Sequence, residues 1–299
     1  MSTSDDTNTA GDPIRYEKLT WPEVDAAADE GKLVLIPTAC VEDHGKHLPI
    51  DVDIEIVTNI CRAVARRRDD VLVYPTVDNG YDPHHMHFPG TVSIDWETFC
   101  NTLIDIGVSL AHHGFRKLLF LNGHGSNHQL VNQATRQIII QRPDVQAAML
   151  SWWQLDEVHD VVADSFDGGA TGSAHAGELE TSVYRHLHPD DVDMSEATDE
   201  NAYPESPHFY QFGQDFTGQR EPDASTPVMM MEWWSTISET GVMGNAAAAT
   251  EEKGEAAFEA AVEGVSGILD DFAAFPHREP VEHHSREVPE ADYDAFRPR

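Results

Sequence analysis

The stretch KLLFLNGHGSNHQLVNQATRQIIIQ, Lys117 to Gln141, decides the fold. It opens with an apolar run, Lys117 to Leu121, that stops at Asn122 and Gly123 and reads as a buried strand. From His128 the period changes. Val131, Ala134 and Ile138 recur at intervals of three and four, which is one face of a helix running to Gln141. A buried strand passing through a Gly-containing turn into an amphipathic helix is half of a βαβ unit.

The same alternation continues on both sides. Leu33 to Ile36, Val71 to Val77 and Val145 to Ser151 are further short apolar runs. Between them lie helical patterns. Val57, Ile60, Cys61 and Val64 share a face after Asp53, and the basic run Arg66 to Arg68 suits that helix's C-terminus. Trp96, Phe99, Leu103, Ile106 and Leu110 repeat in the same way, with Asp95 at the start. Alternating strands and helices predict right-handed βαβ units, hence an α/β fold with a mainly parallel sheet flanked by helices. One domain is expected over residues 13–275, between a disordered N-terminus, 1–12, and a charged tail, 276–299. His188 to Val228 lacks periodicity and reads as an irregular excursion or subunit contact. Met229 to Trp234 (MMMEWW) reads as core or oligomer packing, and Glu251 to Phe275 as an Ala-rich amphipathic helix.

Composition narrows the partners. The 299 residues carry a net charge of -34, which repels nucleic-acid phosphates and anionic membrane surfaces. So acidic a chain, poor in Lys, suits a salt-rich cytosol in which screening removes the self-repulsion. Cys40, Cys61 and Cys100 lack any CxxC spacing and read as reduced thiols of a cytoplasmic protein. Residues 1–12 have neither a basic start nor an apolar stretch, so neither a signal peptide nor a membrane anchor is expected there.

In parallel sheets ligands bind beyond the carboxyl ends of the strands. Each expected strand is followed there by polar or aromatic residues: Glu42 and His44, Asp82 to His87, Asn122 to His124, and Trp152 with Trp153. In an extended segment Glu42 and His44, two apart, face one cavity, with His47 as a competitor for His44. Asp53 arrives at the mouth of the next helix, where its two oxygens could bridge two metal ions. His124 sits between two glycines at a strand-to-helix turn. In GSAHAGELETS a helix starting near His175 would place Glu178 one turn on, on the same face, with Glu180 turned away. One acid can face the site and the other support it. His84, His85 and His87 crowd a Pro-Gly turn that suits a shaped substrate loop better than a chelating strand.

These motifs resemble those of the creatininase family along nearly the whole chain. The family's E-Q-H-G-P-H-L-P block ending in Asp, H-x-x-F-P-G-T loop, N-G-H-G-G-N, H-A-G-E-x-E-T-S and late T-G-V-x-G stand here as Glu42 to Asp53, His84 to Thr91, Asn122 to Asn127, His175 to Ser182 and Thr240 to Gly244. The resemblance implies a creatininase-like three-layer fold and a metal-dependent amidohydrolase. Glu42, His44, Asp53 and His124 would hold two divalent metal ions (Zn, Mn or Fe), Asp53 bridging, and His175 would donate a proton to the leaving nitrogen. Members that open creatinine's ring resemble one another in an aromatic and an acid directly after the His of N-G-H, where this chain has Gly125 and Ser126. Glu178 is expected to supply the missing carboxylate ligand, with Glu180 beside His175 as a catalytic residue. His84, Trp152 and Trp153 are expected to bind a small cyclic amide or formamide. The family resemblance also implies a homo-hexamer. Competing readings are a deformylase of a formamidopyrimidine ribonucleotide, a trimming peptidase, and a non-catalytic metal-binding oligomer.

Overall fold

The computed structural model describes residues 13–169, 171–202, 231–287 and 289. Four parallel strands, β1 (Leu33–Thr38), β2 (Val71–Val73), β3 (Lys117–Asn122) and β4 (Gln146–Ser151), form one sheet in the order β2-β1-β3-β4. β1 and β3 are central and nearly all buried, as expected of a parallel sheet covered on both faces. β2 is shorter than its apolar run. Pro75 has no N–H to give the ladder, which stops at Val73 and resumes as a single bridge between Thr38 and Val77.

Side-chain alternation splits the core into two. Leu33, Leu35, Leu119 and Leu121 point to one face and pack against α2 (Val52–Arg66), α5 (Asp156–Ser165), α6 (Glu178–Leu187) and α8 (Glu251–Ala274). Val34, Ile36, Leu118 and Phe120 point to the other and meet α1 (Trp21–Asp29), α3 (Trp96–His112) and α4 (His128–Gln141). The predicted faces carry this packing: Val57, Ile60, Cys61 and Val64 on α2, and Phe99, Leu103 and Leu110 on α3, are buried. Polar ends are closed locally. Asp95 accepts from Thr98 N at 3.0 Å to cap α3. The Lys117 ammonium donates to Phe272 O, Ala273 O and Phe275 O at 2.5–2.9 Å, satisfying the C-terminal carbonyls of α8.

The expected N-terminal disorder lies outside the described residues, as do residues 203–228 of the expected excursion and Met229 and Met230 of the aromatic patch. The described start of the excursion holds a short strand, β5 (Asp199–Glu200), antiparallel to β6 (Gly244–Asn245). A short helical turn, α7 (Trp234–Ile237), precedes β6. No helix among the described residues is long and apolar enough to cross a membrane.

Candidate metal centre and active site

The site lies beyond the carboxyl ends of β1, β3 and β4. After β1 the chain stays extended through Glu42, whose N–H donates to Ile50 O at 3.1 Å, and turns at Gly45, φ 72°. That turn returns the chain to begin α2, with Asp53 in its first turn. After β3, Asn122 locks the next turn: its side chain donates to His124 O at 2.7 Å and to Ser151 Oγ at 3.0 Å. Gly123 has a steric reason. A Cβ there would lie 2.8 Å from Asp53 O and 2.9 Å from Val57 Cβ, so only glycine lets α2 seat against this turn and bring Asp53 to His124.

The two oxygens of Asp53 face two histidines. Oδ1 is 3.3 Å from His44 Nε2, and Oδ2 is 3.0 Å from His124 Nδ1. His124 Nδ1 is also 2.8 Å from Glu42 Oε2, and His44 Nε2 is 3.7 Å from Glu180 Oε2. Yet Asp53 Oδ2 and His44 Nε2 are buried with no aligned hydrogen bond, so proximity here is not donor-to-acceptor pairing. The far nitrogen of each ring explains why. His44 Nδ1 meets Glu42 O at 3.2 Å and His124 Nε2 meets Tyr81 O at 3.3 Å, contacts that place the ring N–H on a backbone carbonyl. The other nitrogen's lone pair is then left facing carboxylates. This is how metal-ligating histidines are held, and such a cluster is stable only with positive charge among the oxygens.

Without a cation, protons on the rings supply that positive charge. Burial drives the His44 imidazole down, but Asp53 and Glu180 overcome it and carry it up to about 10. His124 is likewise raised well above its ordinary value by Glu42, against burial. Burial pushes the Glu42 carboxyl up, and His85, His124 and His175 together hold it well below the usual range. The donors fit a divalent cation: Glu42, Asp53 and His124 have ligand atoms within 4.8 Å of one another, and His44 and Glu180 adjoin them. Cys40 is near, with Asp82 and His124, and burial pushes its thiol up to about 12 in the absence of a cation. Oxygen and nitrogen donors without thiolate suit Zn, Mn or Fe(II).

Several expectations change. Glu178 is not at the centre. Fully buried, it accepts from Asp167 N at 3.0 Å and Gly168 N at 2.9 Å and pairs with Lys253 Nζ at 2.5 Å, bracing α6 against α8. Glu180 takes the place beside His44, and its Oε2 also accepts from Ala176 N at 2.6 Å. The helical phase failed because α6 starts at Glu178, after a break at Ala176, a non-glycine residue at φ 47°. His175 is therefore off the helix. Its Nε2 meets Asp43 O at 3.0 Å, and its Nδ1 looks into the site, 3.9 Å from Glu42 Oε1. His47 turns instead to Thr181 Oγ1, at 2.9 Å, which leaves His44 as the inward histidine.

His84, Trp152 and Trp153 line the same solvent-connected cleft as Glu42, Asp53, His124, His175 and Glu180. Trp234, expected in core or oligomer packing, is a wall of this cleft and stacks on His85 with ring centroids 4.3 Å apart. No local pattern marks that role, because the residue reaches the site from a distant segment. His85 Nδ1 lies 2.9 Å from Glu42 Oε1 and 3.0 Å from Asp43 Oδ1, a contact visible in sequence only as one histidine among three.

Comparison with known proteins accords with this geometry. A family model described as creatininase, creatinine amidohydrolase, matches residues 17–269. The creatinine amidohydrolase of Pseudomonas putida is 31% identical over 267 residues, covering 84% of this chain and 94% of its own. A mycofactocin precursor peptide peptidase of Mycobacterium tuberculosis (strain CDC 1551 / Oshkosh) is 31% identical over 240 residues, 77% of this chain and 81% of its own. A solved structure described as "Creatininase Mn" superposes with a TM-score of 0.70 at 26% identity, covering 86% of this chain and 98% of that one. With the family model spanning the sheet and every residue of the acid-histidine cluster, the chain belongs to the creatininase family.

Proposed function

We propose that the protein hydrolyses a C–N amide bond of a small, uncharged substrate, using two divalent metal ions that share Asp53. The observation that carries this is the Asp53 carboxylate, with one oxygen 3.3 Å from His44 Nε2 and the other 3.0 Å from His124 Nδ1. Glu42 and His124 would hold one ion and His44 and Glu180 the other, with Glu180, not Glu178, as the further carboxylate. Metal ions so held supply Lewis acidity that makes water nucleophilic near neutral pH.

The chain's own groups do the rest. Burial and the neighbouring His44 and His85 keep His175 neutral, well below its ordinary value, although Glu42 opposes this. With Nε2–H on Asp43 O, the Nδ1 lone pair can accept a proton from the attacking water and pass it to the departing nitrogen. Trp152, Trp153, Trp234 and Leu179 wall the cleft and exclude bulk water from a flat substrate. Among the described lining residues there is no Lys or Arg to meet a phosphate, which counts against the formamidopyrimidine ribonucleotide. The test is metal analysis of the purified protein together with a panel of cyclic ureas, hydantoins, formamides and short peptides. Two equivalents of divalent metal and turnover of a neutral amide are expected. A protein that binds no metal after loading with Zn or Mn would refute the proposal.

A further inference from the structure

Beside the acid-histidine cluster the cleft has a second polar feature, built on Ser126, His84 and Asp82. Ser126 lies just beyond β3, where the chain turns into α4, and lines the cleft beside Trp152 and Trp153. Its Oγ is 3.4 Å from His84 Nε2, and His84 Nδ1 is 3.2 Å from Oδ1 of the fully buried Asp82. The second contact is close but poorly aligned, since Asp82 Oδ1 makes no regular hydrogen bond. An ionised Asp82 would repel an Nδ1 lone pair 3.2 Å away, which favours the N–H on Nδ1 and the lone pair on Nε2. His84 then accepts from Ser126, and the hydroxyl's only proton points into the wall. What remains to the cleft is an oxygen that can accept but not donate.

We propose that Ser126 is a substrate-binding residue that accepts a hydrogen bond from a substrate N–H, with His84 and Asp82 as the positioning residues that fix its hydroxyl. This inference rests on the amidohydrolase reading and narrows its substrate class to neutral amides with a free N–H: lactams, ureides or primary amides. The surroundings sharpen the choice. In a cleft walled in part by indoles, an Oγ that finds no donor on the ligand is desolvated without compensation. Sites built around such a group reject ligands lacking its partner.

The test is equilibrium binding, followed by quenching of the cleft's indole fluorescence in the full-length, metal-loaded protein at pH 8. The probes are 2-imidazolidinone and its 1,3-dimethyl derivative, neutral rings that differ in their N–H groups. Wild type is expected to prefer the N–H probe by at least about tenfold. Ser126→Ala should reduce that ratio to about threefold or less by weakening only the N–H probe, and Ser126→Thr should restore it. His84→Phe and Asp82→Asn should reduce it while metal content and melting temperature stay near wild type. Equal binding of the two probes by wild type, no saturable quenching by either, or an unchanged ratio in Ser126→Ala would each overturn the proposal. Binding and turnover separate the two readings: a protein that prefers the N–H probe but holds no metal and cleaves no amide refutes the amidohydrolase function and leaves this preference standing.

Discussion

Exchanging Glu178 and Glu180 for glutamine, one at a time, separates the acid that braces from the acid that faces the centre. Glu178→Gln breaks the pair with Lys253, held at 2.5 Å, and mismatches one of the two N–H groups from Asp167 and Gly168. Losing one partner of a buried pair costs about 3–5 kcal/mol, and because Lys253 keeps some contact with water the lower end applies, about 3 kcal/mol. For a chain of this size that lowers the melting temperature by roughly 5–15 °C with metal content unchanged. Glu180→Gln should do the reverse. Burial above all, with Asp53 adding to it and His44 opposing, carries the Glu180 carboxyl from an ordinary 4.5 to about 7. At about 1.4 kcal/mol per tenfold change in proton affinity, ionised Glu180 costs the metal-free fold roughly 3 kcal/mol. The sign follows from which state ionises first. Below pH 4 the group is protonated folded and unfolded, and there is no cost. Between pH 4.5 and 7 the unfolded chain loses its proton first and the cost builds, reaching its full size above pH 7. Glu180→Gln should therefore raise the metal-free melting temperature at pH 8, leave it nearly unchanged at pH 4, and retain about one metal where wild type retains two. Elemental analysis with melting curves of chelated and loaded protein reads every term. Metal lost by Glu178→Gln and two equivalents kept by Glu180→Gln would refute the assignment.

Asp53→Ala should lose both metals and His44→Ala chiefly one, by the same elemental analysis; two equivalents retained by Asp53→Ala would rule out a shared carboxylate. His175→Ala should keep its metals yet lose about 10²- to 10⁴-fold in turnover, with substrates whose leaving group needs no protonation far less affected. Loss of metal in that variant would make His175 a ligand. The melting temperature should rise with KCl, because a net charge of -34 must be screened for the compact state to persist. A melt indifferent to salt would remove the case for a salt-rich setting.

The sheet was legible because its evidence is local. Each strand is a short apolar run and each adjoining helix a 3.6-residue period, so Leu33–Thr38 and Lys117–Asn122 differ from expectation by a residue or two at their ends. Where the ladder broke early, at Val73, the cause was one missing N–H, at Pro75, inside an otherwise strand-like run. The front of the site was legible for a related reason. Parallel strands deliver their following loops to one edge, and that rule alone brings Glu42, His44 and His124 together.

The rest depended on contacts that no local period encodes. Helical phase is an argument about neighbours on one continuous helix, and it cannot be carried across Ala176, where φ of 47° resets the direction of the chain. For that reason Glu178 and Glu180 exchanged places. Trp234 follows a stretch of polar, aperiodic sequence and reaches His85 only through the tertiary fold, so its apolar character said "buried" without saying against what. Ser126 is the most instructive case. As a letter it is the absence of an acid after His124, a gap in a ligand set. In space Glu180 brings a carboxylate beside His44 from another segment, and under the proposal above the small hydroxyl, with no cation to hold, leans on His84, which in turn meets Asp82. A departure from a family pattern can therefore be two linked facts, a ligand moved and a position released to read the substrate. The double variant Ser126→Glu with Glu180→Gln probes that link. It should recover the metal lost in Glu180→Gln while abolishing the preference for an N–H probe, and recovery of both properties together would break the connection.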